Sequence, residues 1–227
     1  MLLRKSLLTA GALLATAGLS LFAARAARAP VVDQFEEMSM SLRVDTSEED
    51  IAIDIALEVA EAFLGLVVHD PFGELLLDVK VSDPAGLGLT ELAVQAKQAD
   101  IREGLAAFPA GTYTITAFGV DGKTFAGDVE LSHQLPVRPR ILSPADRSVV
   151  DPEAFVVTWG GGVNVDHHVV EVMGENLDLR VEVPPHVRSF HVPPSLLRSD
   201  TVYEVEVSAV NEAGNSIVTE LRVRTAR

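Results

Sequence analysis

Asp166, His167 and His168 are consecutive and carry the side chains best suited to bind a metal ion. Imidazole nitrogens and carboxylate oxygens are common zinc ligands. The residues around them alternate as in a β-strand, where neighbouring side chains point to opposite faces of the sheet. His167 and His168 are therefore badly placed to share one ion, and we expect one packed and one exposed histidine. His167 paired with Asp166, His69 or His133 remains a weak zinc candidate.

Acidic residues near the start of the chain offer the oxygen ligands that calcium prefers. None of them has the D-x-D-x-D-G spacing of a calcium loop, and His186 and His191 have no recognised ligand spacing. We therefore predict neither a metal site nor a cofactor. The acidic candidates are Asp33, Asp45, Glu48, Glu49, Asp50 and Asp54.

Catalytic motifs are missing from the sequence. It contains no Gly-x-Ser-x-Gly elbow, no HExxH helix and no phosphate-binding glycine loop. The glycines at 160–162 follow a predicted strand without opening a helix, so they indicate a loop. We predict no catalytic residue and no enzyme activity.

The first 29 residues have the three-part layout of a secretory signal peptide. A basic start is followed by an apolar run over about 7–24 and by small residues. Cleavage after Ala26 fits the small-x-small rule better than cleavage after Ala29, because Pro30 would follow the second cut. The alternative is an uncleaved membrane anchor, since the apolar run is near the minimum length for spanning a bilayer. We expect a periplasmic or secreted protein.

The charge of the chain excludes some partners. Residues 1–29 hold four basic residues and no acid, so their removal takes the net charge from −15 to −19. Such a chain is repelled by nucleic acid and by anionic lipid. It has no cysteine and hence no disulfide. We expect a protein partner, no nucleic acid, and membrane contact only through an uncleaved N-terminal segment.

Alternating apolar residues predict an all-β fold made of two β-sandwich modules. Residues 30–50 are acidic and weakly periodic, which favours a flexible leader with at most one short edge strand. Two strands are predicted over 51–60 and 62–69. Residues 90–107 break clearly from β character, and a short helix is predicted near 98–107. The first module spans 51–136.

Two hairpins suggest that both modules share one plan. Asp121-Gly122 lies between two alternating segments, which is a strong hairpin signal. Tyr113 begins the first of these segments, and Tyr203 likewise begins a strand that leads into the hairpin closing the chain. Three prolines near Val137 predict a short, stiff connector and place the module boundary there, so the second module spans 137–227.

The second module resembles a fibronectin type III domain over about residues 139–227. Trp159 lies at the position of the family's core tryptophan, and Leu197, Thr201 and Tyr203 match the residues that lead into its sixth strand. The resemblance implies that Tyr203 forms a tyrosine corner, with a buried ring and a hydroxyl bonded to the main chain. It also implies a spacer or binding module without a catalytic site. His168 departs from the pattern, because the family often has tyrosine there.

The functional hypothesis is a non-catalytic interaction or scaffold protein of the cell envelope that presents loops or sheet edges to a protein partner. One alternative is a calcium- or zinc-binding envelope protein, suggested by the acidity of the chain. Another is an accessory module of a polysaccharide-active system. That alternative requires exposed aromatic platforms, whereas Trp159, Tyr113 and Tyr203 are all assigned to core positions and aromatic residues make up only 5% of the chain.

Overall fold

A computed structural model describes residues 32–47, 49–82 and 88–227, and the predicted signal peptide lies outside them. Their regular structure is almost entirely β. In chain order the elements are β1 (Val32–Asp33), β2 (Glu37–Asp45), β3 (Asp50–His69), β4 (Leu75–Lys80), β5 (Leu89–Gln98), α1 (Ile101–Ala107), β6 (Gly111–Gly119), β7 (Thr124–Leu131), β8 (Arg140–Ser143), β9 (Val149–Val150), β10 (Val156–Gly160), β11 (His167–Gly174), β12 (Leu177–Val183), β13 (Ser189–His191), β14 (Val202–Val210) and β15 (Ser216–Thr225), with two short 3₁₀ turns at Pro152–Ala154 and Pro194–Leu196. The predicted all-β class is confirmed.

Most of these strands belong to one sheet of 12 strands, whose main path runs β1-β7-β6-β3-β2-β15-β14-β11-β12. Strands β4 and β5 also pair with β3, and β9 pairs with β15. A second sheet has the order β13-β10-β8. Because β2 and β15 are hydrogen-bonded neighbours, the large sheet continues from the N-terminal half of the molecule (residues 32–131) into the C-terminal half (residues 140–227).

The flexible leader predicted at 30–50 is wrong over most of its length. Residues Glu37–Asp45 form β2, which pairs antiparallel with β3 over nine residues. Its side chains Met40, Leu42 and Val44 are buried in the core. These three alternate with polar residues, so the period of two was present, but the acidic residues on both sides of the strand concealed it.

The region after β2 also differs from the prediction. The strands predicted over 51–60 and 62–69 are one strand of 20 residues, β3, which pairs with β2 and β5 in its first part and with β4 and β6 in its second. Part of the segment read as non-β is strand β5, so the helix is confined to Ile101–Ala107. Asp100 caps that helix by accepting hydrogen bonds from two backbone N–H groups. Gly104 lets the helix approach β3, because a Cβ there would lie 2.2 Å from Ile51 Cγ2.

Each half has its own hydrophobic core. The N-terminal core is mainly aliphatic, with residues from β2, β3, β6 and β7 and with Phe63 and Tyr113 among its largest buried side chains. The C-terminal core surrounds Trp159, which packs with Phe155 and Tyr203. Ile217, on β15 of the C-terminal half, packs against the N-terminal core.

The C-terminal half has the strand arrangement of a fibronectin type III-like sandwich. Its three-stranded sheet faces the end of the large sheet formed by β12, β11, β14 and β15, with the Trp159 core between them. The ring of Tyr203 is buried, and its hydroxyl accepts a hydrogen bond of 2.8 Å from the backbone N–H of Arg198. That is the tyrosine corner which the resemblance implies, and the recognition of this fold is confirmed.

No helix among the described residues has the length and apolar character needed to cross a membrane.

Candidate functional site

The structure separates the three predicted metal candidates. His167 Nδ1 lies 2.9 Å from Asp166 Oδ2 at the surface. His168 points the other way into the core, where its ring centroid is 5.8 Å from that of Trp159. The neighbouring Arg188 guanidinium lies 3.5 Å from His168 Nδ1. These positions do not converge on one ion.

Burial decides the charge state of His168. The side chain is fully buried, and desolvation lowers its pKa to about 4, with further lowering by the positive charges of Arg188 and His167. Its Nε2 atom has no hydrogen-bond partner among the described residues. At neutral pH this histidine is an uncharged core residue.

Asn215 joins the two halves of the molecule. It is fully buried and immediately precedes β15. Its Oδ1 accepts a hydrogen bond of 2.9 Å from the backbone N–H of Leu42 on β2. Its Nδ2 donates to the carbonyl oxygens of Ser132 and Gln134, at 2.7 and 2.9 Å. One amide group therefore hydrogen-bonds to three main-chain groups, one on β2 and two in the connector that follows β7.

Directly after Asn215, β15 pairs with β2 and so joins the two halves through main-chain hydrogen bonds. Strands β2 and β15 run parallel, with three residue pairs in register from Ser216↔Arg43 to Val218↔Asp45. Thr46 Oγ1 donates a hydrogen bond of 2.8 Å to the carbonyl oxygen of Val218. We call this set of contacts, from Asn215 to Val218 and their partners, the seam.

Arg43 adds ion pairs to the seam. From β2 its guanidinium contacts the carboxylate of Glu206 on β14 and lies 3.9 Å from that of Glu171 on β11. Arg180, on β12, binds the same Glu171 at 2.9 Å. An arginine that bridges partly buried carboxylates is worth more than an exposed pair, because less solvent screens the charges.

The outer face of the large sheet forms a polar groove of about 580 Å³ across the seam. Seven strands line it: β5, β3, β2, β15, β14, β11 and β12. Its lining residues include Arg43, Glu171, Glu206 and Ser208. This groove, which we call the seam groove, is the candidate functional site.

Glu206 is the most unusual ionisable group in the seam groove. It is only 7% exposed, and burial raises the pKa of its carboxyl. The Arg43 guanidinium opposes that rise, whereas the negative charges of Glu171 and Asp45 add to it. A buried carboxylate among other carboxylates favours any further positive charge that reaches it.

Reading the sequence did not reveal these residues. By sequence alone Asn215 belongs to a turn, and Glu206 and Ser208 occupy the polar positions of an alternating strand. Glu206 is contacted by Arg43 of β2, a strand more than 160 positions away, and no local pattern in the sequence indicates that contact. The alternation within β2 was the one usable signal, since it predicts a strand that must pair with another.

No family model and no curated protein sequence matches this chain. Solved structures that resemble it include the fibronectin(III)-like modules of Clostridium thermocellum CbhA, with 11% identity over 86% of this chain and 95% of that chain and a TM-score of 0.35. A two-domain fibronectin type III segment of chicken tenascin has 13% identity over 85% of this chain and 100% of that chain, with a TM-score of 0.31. The strand order and the Tyr203 corner define the fold independently of these low scores.

Proposed function

We propose that this chain is a non-catalytic, exported interaction or scaffold protein of the cell envelope, which presents a sheet edge to a protein partner. The observation that carries the proposal is the large sheet that continues through the seam into both halves. Such a sheet holds the two halves in a fixed relation, which suits a protein that displays a surface.

Strand β12 is the edge that best fits a partner strand. It ends the main path of the large sheet and, among the described residues, pairs with β11 alone. Its side chains alternate between partly buried apolar residues and exposed charged ones, Asp178, Arg180 and Glu182. An edge of this kind offers unpaired N–H and C=O groups to an extended peptide, and the charged side chains discourage pairing with unrelated strands.

Two adjacent proline variants test this edge. In an antiparallel pair, successive N–H groups point alternately toward the partner strand and away from it. Of Val181→Pro and Glu182→Pro, one therefore removes a bond to β11 and the other removes only an outward N–H. The variant that keeps the wild-type melting temperature is the one to use in binding experiments.

The binding experiment is cross-linked affinity capture from the envelope fraction of the native organism. We expect the wild-type chain to capture a specific protein and the stable proline variant to lose it. Glu212→Gln, in the exposed β14–β15 turn, is the matched control and should capture as the wild type does. Recovery of no specific partner across several growth conditions would contradict the proposal, and capture that the stable proline variant leaves intact would rule out this edge.

We also propose the module boundary near Val137 and export by the first 29 residues. Separate cores on either side of residues 132–139 support the boundary. Because β2 completes the N-terminal core, the first module then begins before residue 37 and not at 51. Intact mass of the protein recovered from the periplasm tests export: cleavage after Ala26 or Ala29 is expected, and a full-length membrane-bound product would favour the anchor.

A further inference from the structure

We propose that the seam groove holds a divalent cation of the calcium class, bound by Glu204 and Glu206 of β14 and by Glu220 of β15 with Ser208 beside them. This inference is independent of the partner at β12. It places a cation site where reading the sequence predicted none.

The geometry of the three carboxylates suits one ion. Glu204 and Glu206 are two apart on β14 and so share a face, and Glu206 is directly opposite Glu220 on β15. One oxygen from each carboxylate lies within 4.8 Å of the others. Two ligands that are each about 2.4 Å from a calcium ion lie at most about 4.8 Å apart, so the three oxygens fit around one such ion.

Ser208 provides a second and independent observation. It continues the same face of β14, two residues beyond Glu206, and it lines the same groove. The residue is 2% exposed, yet its Oγ has no hydrogen-bond partner among the described residues. A buried hydroxyl without a partner is costly. An ion or its bound water would give this oxygen the partner that the protein does not.

The arginine contacts of Glu204 and Glu206 leave one oxygen of each carboxylate for the cation. Arg222 contacts Glu204 through Oε2 at 2.9 and 3.0 Å, and Arg43 contacts Glu206 also through Oε2. Neither of these contacts uses the Oε1 atoms, and an ionised carboxylate can accept about four hydrogen bonds. The cluster contains four carboxylates, those of Glu171, Glu204, Glu206 and Glu220. Three guanidinium groups contact it, those of Arg43, Arg180 and Arg222, so the negative charges outnumber the positive ones.

The ligand atoms select the class of cation. Carboxylate and hydroxyl oxygens are hard ligands that suit calcium or magnesium, whereas zinc and copper prefer imidazole or thiolate. Magnesium demands near-ideal octahedral geometry, which a cluster of strand-borne glutamates is poorly built to give. We therefore expect calcium to bind more tightly than magnesium.

Calorimetric titration of the full chain with calcium chloride, magnesium chloride and zinc chloride tests the site. We expect saturable calcium binding with a Kd at or below about 10⁻³ M. Calcium in excess should also raise the melting temperature, because it binds the folded state. Absence of saturable heat together with an unchanged melting temperature would overturn the proposal.

Variants locate the ion. Glu220→Gln keeps the shape of the side chain and should weaken calcium binding at least tenfold, and Ser208→Ala should weaken it severalfold. The control Glu212→Gln, in the adjacent exposed turn, should bind as the wild type does. An equal loss in Glu212→Gln and Glu220→Gln would mean that calcium associates only with the general acidic surface, and the proposal would fail.

Amide chemical shifts of the wild-type chain give a readout that does not depend on the folding of any variant. Calcium should shift the amides of residues 204–208 and 218–221 and leave those of β6 and β7 in place. Shifts confined to other segments would overturn the assignment of the site.

Discussion

Tyr113 and Tyr203 each bind the main chain a few residues upstream through the hydroxyl group, one in each half of the molecule. The two hydrogen bonds run in opposite directions. Both rings are buried near the start of a strand that leads into a hairpin. The hydroxyl of Tyr203 accepts from the N–H of Arg198, whereas that of Tyr113 donates to the carbonyl oxygen of Pro109, each at 2.8 Å. Two corners of similar plan can thus satisfy different main-chain groups.

The halves differ more in how well their buried polar groups are satisfied. Among the described residues, the buried side-chain atoms without a hydrogen-bond partner are Ser148 Oγ, Trp159 Nε1, His168 Nε2 and Ser208 Oγ, and all four lie in the C-terminal half. Buried polar atoms without a partner are uncommon and mark places where packing has been compromised. Among the described residues, the C-terminal half therefore holds the buried polar side-chain atoms that lack a hydrogen-bond partner, and the N-terminal half holds none of them.

The largest expected effect compares one large core residue from each half. Trp159→Ala and Phe63→Ala should each cost about 3–5 kcal/mol in the free energy of unfolding, because each removes a fully buried aromatic ring. Urea titrations followed by circular dichroism measure both. Phe72→Ala is the control, since that ring is 78% exposed and its loss should change stability by less than about 0.5 kcal/mol. A cost below about 1 kcal/mol at Trp159 would mean that it does not fill the core.

Asn215→Ala removes one of the polar contacts that join the halves and should cost about 2–4 kcal/mol. The loss leaves the N–H of Leu42 and the carbonyl oxygen of Ser132 without their amide partner, whereas the carbonyl oxygen of Gln134 keeps its hydrogen bond from Asn211 Nδ2. Chemical denaturation measures the cost, with Glu212→Ala in the same turn as a near-neutral control. Equal effects of the two variants would show that the amide contributes nothing to the junction.

The pH dependence of stability should differ between wild type and His168→Phe. Because the folded-state pKa of His168 is lowered to about 4, its neutral form is favoured on folding. That contribution is complete above about pH 6.5 and is lost as the pH falls from about 6.5 to 4, by at most about 3 kcal/mol. Urea titrations at pH 7.5 and 4.5 should show the wild type losing more stability than the variant. Identical losses would exclude His168 as the cause.

The smallest effect distinguishes the two tyrosine corners. Tyr203→Phe deprives the Arg198 N–H of its acceptor, and Tyr113→Phe deprives the Pro109 carbonyl oxygen of a donor. Each change should cost about 1 kcal/mol, with the larger cost at Tyr203, because an orphaned N–H is tolerated less well than a carbonyl oxygen. Burial and the charge of Asp70 raise the pKa of Tyr113 to about 12, so spectrophotometric titration should show one phenol ionising late. A larger cost at Tyr113 would reverse this comparison.

Features set by neighbouring residues could be predicted from the sequence. The hairpin at Asp121-Gly122 and the closing hairpin are confirmed by their registers, and Gly122 has the positive φ of +82° that such a turn requires. Apolar residues alternate along β14, and those at Tyr203, Val205 and Val207 are buried, as the period of two predicts. Each of these depends on contacts within about 25 residues of sequence.

The seam could not be predicted, because it depends on partners far apart in the chain. Leu42 and Asn215 are 173 positions apart, and neither looks unusual in its own segment. Strand β5 was missed for a related reason: its Ala, Gln and Lys residues have low β propensity, and its pairing with β3 overrides that preference. The seam groove follows from both. His167, Asp45, Asp50 and Asp54 were candidate ligands by residue type, but nothing in the sequence indicates that they line one groove with Glu206 and Ser208.

Hydrogen exchange in increasing urea tests most directly whether the seam makes the two halves one cooperative body. In the wild type, amides of β3 in the N-terminal half and of β11 in the C-terminal half should lose protection at the same urea concentration. In Asn215→Ala they should lose it at two different concentrations. Separate loss already in the wild type, or coincident loss in the variant, would contradict this account of the molecule.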